Sequence, residues 1–200
     1  MLRHSTFQIA IATLSLFLAT AARAQDTAAS LRWCAYLTNG SVQKLASDPA
    51  ALEKAPELLK ALNISKVYLE FFRQTSVSND DVKKVSGALA QQGFEVAGGI
   101  ATLPGENYGV REDAKLGWFN WQAQKTRDDV AKVMSTAAPL FSEIIVDDFF
   151  CTGDMSAESV AAKGELPWGD YRRALMVQAA QQSIIVPAKS ANPSVTLIMK

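Results

Sequence analysis

"EIIVDDFFCTGD", residues Glu143–Asp154, runs through three β-branched residues into two adjacent aspartates and then two phenylalanines. With Ser142 before it, the run "SEIIVDDFF" (142–150) reads as a short strand. Consecutive apolar residues, rather than alternating ones, mark a strand buried on both faces, as parallel strands covered by helices are. The acids stand where that strand ends, and parallel α/β folds bind ligands at the carboxyl ends of their strands. Burying two charges costs several kcal/mol, of order ~5, unless partners compensate. The stretch therefore points to a site as well as to a strand.

Outward from "SEIIVDDFF" (142–150), four more runs are rich in β-branched and aromatic residues: "LRWCAYLTN" (31–39), "KVYLEFFR" (66–73), "EVAGGIATLP" (95–104) and "SVTLIMK" (194–200). Helical punctuation separates them. Asp48 with Pro49 opens one helix, Ser78 with Asp81 a second, and Thr126 with Asp128 and Asp129 a third. Gly93 closes the second, where a left-handed residue is wanted. Alternating β and α segments imply an α/β fold with a parallel sheet. The expected architecture is a partial (β/α)8 TIM-type barrel of about five parallel strands with helices. The alternative is a five-stranded doubly wound sheet. The terminal "TLIMK" has no following helix to cover it, which favours the barrel fragment.

Arg3 and His4, an apolar run from Phe7 to Ala19, and Ala22-Arg23-Ala24 form a signal-peptide pattern over residues 1–24. Residues 25–200 are then the amino-terminal part of a β/α-barrel catalytic-type domain, expected to be incomplete, exported, and periplasmic or extracellular. The leader holds two of the twenty basic residues and none of the twenty acids, leaving a formal charge of −2 beyond it. That balance argues against nucleic acid as a partner, because phosphate neutralisation needs a clustered basic excess. No later apolar run is long enough for a membrane span. Nothing in the sequence fixes an oligomeric state.

His4 is the one histidine, so beyond the leader Ser-His-Asp triads and His-ligated zinc are ruled out. No Gly-x-Gly-x-x-Gly follows the first β run, where "LTNGSVQK" stands, so a dinucleotide site has no support. Neither a cofactor nor a metal enters the reading; a Ca²⁺ or Mg²⁺ site on Glu70, Asp147, Asp148 and Asp154 is the lesser alternative. Cys34 and Cys151 lie in or after runs that are not neighbours in the implied sheet, so a disulfide between them is the lesser alternative to buried or partly buried free thiols.

Carboxylates are left as candidate catalysts. Successive strand residues face opposite sides, so one of Asp147 and Asp148 faces the site. Asp148 is taken to reach the ligand, and Asp147 to bond a neighbouring loop or cation. Glu70, between Tyr68 and Phe72, is the candidate second acid, because desolvation among rings favours a protonated carboxyl; its alternative is an ion pair with Arg73 or Lys66. The distance between the acids would separate retaining from inverting hydrolysis. The long segments 104–125 and 151–168 follow strand ends, where long loops are functional. Trp118, Trp121 and Tyr108 are candidate sugar-binding rings, with closure of the core as the alternative for Trp118, Phe119 and Trp121. Asn39 at the end of the first run joins the substrate-binding set. Gly98 and Gly99 read as packing positions, and Trp33 and Tyr36 as core.

"LFSEIIVDDFFCTGD" (140–154), with "RWCAYLTNG" before it and "PWGDYRRALM" and "VPAKSANPSVTLIMK" after it, resembles a group of secreted bacterial glycoside-hydrolase-type proteins with a β/α-barrel fold. The likeness covers most of residues 31–200 and corresponds to that group's amino-terminal half. It implies carbohydrate as the substrate class and Asp147 and Asp148 as site residues. The chain departs from the group at Thr152-Gly153-Asp154, where members carry further cysteines, so the resemblance assigns Cys151 no disulfide or metal role.

Overall fold

Each β-rich run of the sequence becomes a strand: β1 (Trp33–Leu37), β2 (Ile64–Arg73), β4 (Glu95–Ala101), β5 (Glu143–Val146) and β6 (Thr196–Met199). A two-residue strand, β3 (Thr75–Ser76), folds back antiparallel on the end of β2. The computed structural model describes residues 32–147 and 149–200. The expected leader, residues 1–24, and Asp148 lie outside the described residues. The five long strands are all parallel, in the order β1-β2-β4-β5-β6. A doubly wound sheet reverses its order at a switch point. Here every strand is added beyond the last on the same side, so the doubly wound alternative is excluded and a partial β/α barrel results. Right-handed crossovers then place the helices together on one face.

That face holds the core. Val67, Leu69 and Phe71 of β2, Ile100 of β4 and Ile144 and Val146 of β5 pack with Val42, Val82, Val85, Leu89, Val130, Val133, Met134 and Ile184. Each such side chain contributes roughly 1.5–3 kcal/mol when fully buried. Gly98 and Gly99 serve packing: a Cβ on Gly98 would lie 2.5 Å from the Phe141 ring, and one on Gly99 would lie 2.6 Å from Tyr36 Oη on the opposite face.

The helices are α1 (Asn39–Ser47), α2 (Pro49–Ala61), α3 (Asn79–Gln91), α4 (Gln124–Ala137), α5 (Ala157–Lys163), α6 (Trp168–Ala179) and α7 (Val186–Ala191). Asp48 caps α2 by accepting from the amides of Ala50 and Ala51, and Ser78 caps α3 by accepting from Asp81. Gly93, at φ +89°, follows α3 in the left-handed region. Four readings need correction. The first β run stops at Leu37, and Asn39 already opens a helix. The third expected helix starts at Gln124, while Thr126 is buried and its hydroxyl accepts from the Val110 amide instead of capping. Trp33 and Tyr36 are not core: they are 57 % and 38 % exposed, because β1 is an edge strand. A six-residue π segment (Ala180–Ile185) joins α6 to α7 just before Pro187. Proline has no N–H for an α ladder, and the wider turn absorbs the misfit. Neither cysteine is in a disulfide; Cys34 is exposed on the edge strand rather than buried, and Cys151 is half-buried.

At the carboxyl ends of β4 and β5, the segments 102–123 and 149–156 are clasped together. Glu112, buried, accepts from the Gly153 amide at 2.8 Å, and Asp154, also buried, accepts from the Asp113 amide at 2.8 Å. Trp118 meets Phe149, and Trp121 meets Phe150, edge to face. Burial pushes the Asp154 carboxyl up. The hydroxyls of Ser156 and Ser159 and the amides of Asp113 and Ser156 outweigh burial and hold it below the usual carboxylate range.

Replacing Ser78 by Ala leaves an amide of the first turn of α3 without its acceptor, and urea denaturation is expected to register a loss of about 1 kcal/mol. Asp154→Asn is expected to cost about 1–3 kcal/mol near neutral pH. Because the folded carboxyl titrates below its unfolded value of 3.8, its contribution is complete above that value and fades as the pH falls through the lower folded one. The two stability curves should therefore converge in strong acid; a gap that widens there would contradict the assignment.

Candidate functional site

"YLEFFR", Tyr68–Arg73, breaks the alternation of a strand, since two bulky phenylalanines follow one another between two charged residues. The sheet resolves the conflict with a bulge. Glu70 pairs with Gly99 of β4, but Phe72 pairs with the next residue, Ile100, so Phe71 is an extra residue in β2. Phe71 and Phe72 are both 1 % exposed and both enter the hydrophobic core. In a regular strand residues 70 and 73 face opposite sides. The inserted residue returns Arg73 to the face of Glu70, the inner face opposite the helices. Bulges commonly re-aim side chains at barrel rims.

Glu70 is fully buried and surrounded by donors. Its Oε1 accepts from Tyr36 Oη at 3.0 Å, its Oε2 from the Asn39 amide at 2.6 Å, and both oxygens from Arg73 Nε at 3.0 Å. Arg73 Nη2 stands 2.9 Å from Oε1. Hydrogen bonds to Glu70 hold Arg73 above the usual arginine range. Burial, and then the Glu70 charge, push the Tyr36 phenol up, so Tyr36 remains a donor. Asn39 sits beside this carboxylate as a buried helix start; its side-chain amide donates to the Thr75 and Phe71 carbonyls at 3.0 and 3.5 Å, tying β3 to the rim.

Arg73 pairs with Ala101, and Asp147 extends the β4–β5 ladder by donating its amide to Ile100 O at 3.0 Å. Arg73, Ala101 and Asp147 thus form one row across three strands, with a small residue in the middle. Asp147 Oδ1 accepts from the amides of Thr102 and Phe149, at 3.2 and 3.4 Å, and Oδ2 lies 4.0 Å from Arg73 Nη2. The guanidinium also lies 5.7 Å from the Phe149 ring centre.

The other ring candidates separate by burial. Trp121 is wholly buried against Phe119 and Phe150, and Tyr108 is half-buried with its edge on Phe72. Trp118 is half-buried beside Phe149, the residue that follows Asp148 in the chain. Lys66, the other cation considered for Glu70, sits one layer deeper and pairs instead with Glu95 and Glu143, at 2.8 and 2.7 Å, while Tyr68 donates to Glu143 at 2.7 Å. Among the described residues no group of three or more His, Cys, Asp or Glu side chains is gathered as a metal site, and no helix is long and apolar enough to cross a membrane. Tyr36 and Thr102 were not singled out as site residues from the sequence. Tyr36 carried no signal beyond its place in the first run, whereas the doubled phenylalanine of "EFFR" does signal that Glu70 and Arg73 share a face.

Comparison with known proteins agrees with this architecture. An uncharacterised protein of Saccharolobus solfataricus is 27 % identical over a match covering 74 % of this chain. The chain spans only 29 % of that relative's length. Among solved structures, a hypothetical protein from Ruminiclostridium thermocellum superposes with a TM-score of 0.54 at 14 % identity, covering 82 % of this chain and 96 % of that one. The GH20 exo-β-N-acetylglucosaminidase of Vibrio harveyi gives 0.51 at 11 % identity, over 84 % of this chain and 34 % of the enzyme. At such identities the two structures speak for the fold alone. A family model described as "Probable glycosyl hydrolase, catalytic domain" matches residues 20–200, and the chain belongs to that family.

Proposed function

We propose that the protein is an exported glycoside hydrolase acting on a poly- or oligosaccharide, with its chemistry at the carboxyl ends of β2, β4 and β5. The observation that carries the reading is the row Arg73–Ala101–Asp147, which gathers an anchored guanidinium and a carboxylate at the mouth of a glycosyl-hydrolase-family barrel. The apolar leader pattern supports export. Asp148, one peptide bond along from Asp147, is assigned to proton transfer at the glycosidic oxygen. Asp147 is assigned to orienting the strand end. Glu70 stands at the right strand end for a second acid, yet every approach to it is taken by Tyr36, Asn39 or Arg73, so we assign it to anchoring Arg73. Trp118 is assigned to stacking on a sugar face.

A second reading, a carbohydrate-binding barrel without turnover, is favoured by one observation: the acids Glu70 and Asp147 at the ends of β2 and β5 are both engaged by internal donors. Amide substitutions separate the two readings. On glycans that the wild type hydrolyses, Asp148→Asn should lower kcat by about 10²–10⁴, the range for losing a positioned acid or base. Glu70→Gln should lower stability and, by loosening Arg73, lower kcat less than Asp148→Asn does. An equally severe kcat loss in a Glu70→Gln protein that melts like the wild type would return Glu70 to the catalytic pair. Trp118→Ala should weaken glycan binding by roughly tenfold, the worth of one aromatic contact. If Asp148→Asn leaves hydrolysis intact, the enzyme assignment is wrong; if there is no turnover and Trp118→Ala abolishes retention on glycan, the binding reading holds.

A further inference from the structure

We infer that Arg73 is the positioning residue of this site, set on the inner face by the Phe71 bulge and clamped by Glu70 so that it fixes the residues on both sides of Asp148. The inference rests on the functional reading above and deepens it. Glu70 engages Nε and one edge of the guanidinium, which removes the freedom of a long side chain. From that fixed mount the same group reaches Asp147 Oδ2 at 4.0 Å and lies 5.7 Å from the Phe149 ring centre. Asp147 and Phe149 are the immediate neighbours of Asp148. Asp147 in turn holds the amides of Thr102 and Phe149 through its other oxygen, so the grip extends to the starts of both mouth segments. Lysine would supply the charge without the planar fork needed to serve Glu70 and Asp147 together. Among the described residues, the charged or titratable groups that interact with Asp147 include Arg73 and Tyr36, and Asp148 is its chain neighbour.

The test compares wild type, Arg73→Gln and Arg73→Lys, each checked by thermal unfolding, using glycan hydrolysis and carboxyl-carbon NMR titration of Asp147. Removing the guanidinium should make Asp147 titrate about one pH unit higher or more, as expected for a carboxylate that loses a nearby cation. A small misplacement of the Asp148 segment should lower kcat about 100-fold, with KM changed by no more than about threefold. Arg73→Lys should recover about tenfold of that loss, because charge returns without the fork. An Arg73→Gln protein that folds normally and changes neither kcat nor the Asp147 titration overturns the inference. If that variant does not fold, Arg73→Lys decides: wild-type kcat rejects the fork, and a clear loss supports it. If the wild type hydrolyses no glycan, the enzyme reading fails on its own, and the Asp147 titration still tests Arg73, an unmoved carboxyl rejecting it and an upward shift supporting it.

Discussion

One inserted residue organises the mouth of this barrel. Two adjacent phenylalanines both seek the helix-side core, and a strand can satisfy both only by bulging at Phe71. The consequence falls on the opposite face, where Glu70 and Arg73, three residues apart, come to point the same way and pair. Core packing and site geometry are therefore set by the same irregularity. Filling the core with Phe71 and Phe72 is what places the guanidinium.

The energetics explain why so many groups attend Glu70. A carboxylate at 0 % exposure loses its hydration and must recover it from donors. Tyr36 Oη, the Asn39 amide and Arg73 supply them from β1, α1 and β2 itself. Removing one member of such a buried pair costs about 3–5 kcal/mol, because the remaining charge is stranded. Both oxygens of Glu70 are thus engaged by donors, a compensation that its sequence setting beside Tyr68 and Phe72 does not reveal.

The strand runs, their parallel arrangement and the caps at Asp48 and Ser78 were legible because they depend on local pattern: β-branched runs, a Pro after Asp, a Ser before an acidic first turn. The clustering of acids at the ends of the second and fourth runs was legible for the same reason. Less visible was what requires register. Tyr36 read as core because aromatic residues in strands normally are, yet on an edge strand it turns its hydroxyl to Glu70. Thr126 carried the composition of a cap but spends its hydroxyl on the Val110 amide, a contact spanning 16 residues that no local rule anticipates. Trp121 had the same loop context as Trp118 and is wholly buried where Trp118 is not. The bulge could have been read, because "EFFR" cannot alternate; noticing it would have set Arg73 beside Glu70 and made the pair the leading interpretation.

The inner face shows why this register is not negotiable. Lys66 joins Glu95 and Glu143, Tyr68 joins Glu143, and Arg73 reaches Asp147, so polar links run from β2 to β4 and β5 at two levels. Sliding β2 by one residue would turn Lys66, Tyr68 and Glu70 into the apolar layer and expose Val67 and Leu69 in their place. The cost of burying those charges unpaired exceeds anything such a slip could recover. The polar residues of the inner face therefore also specify the fold, and the hydrophobic face that stabilises the sheet determines where they are held.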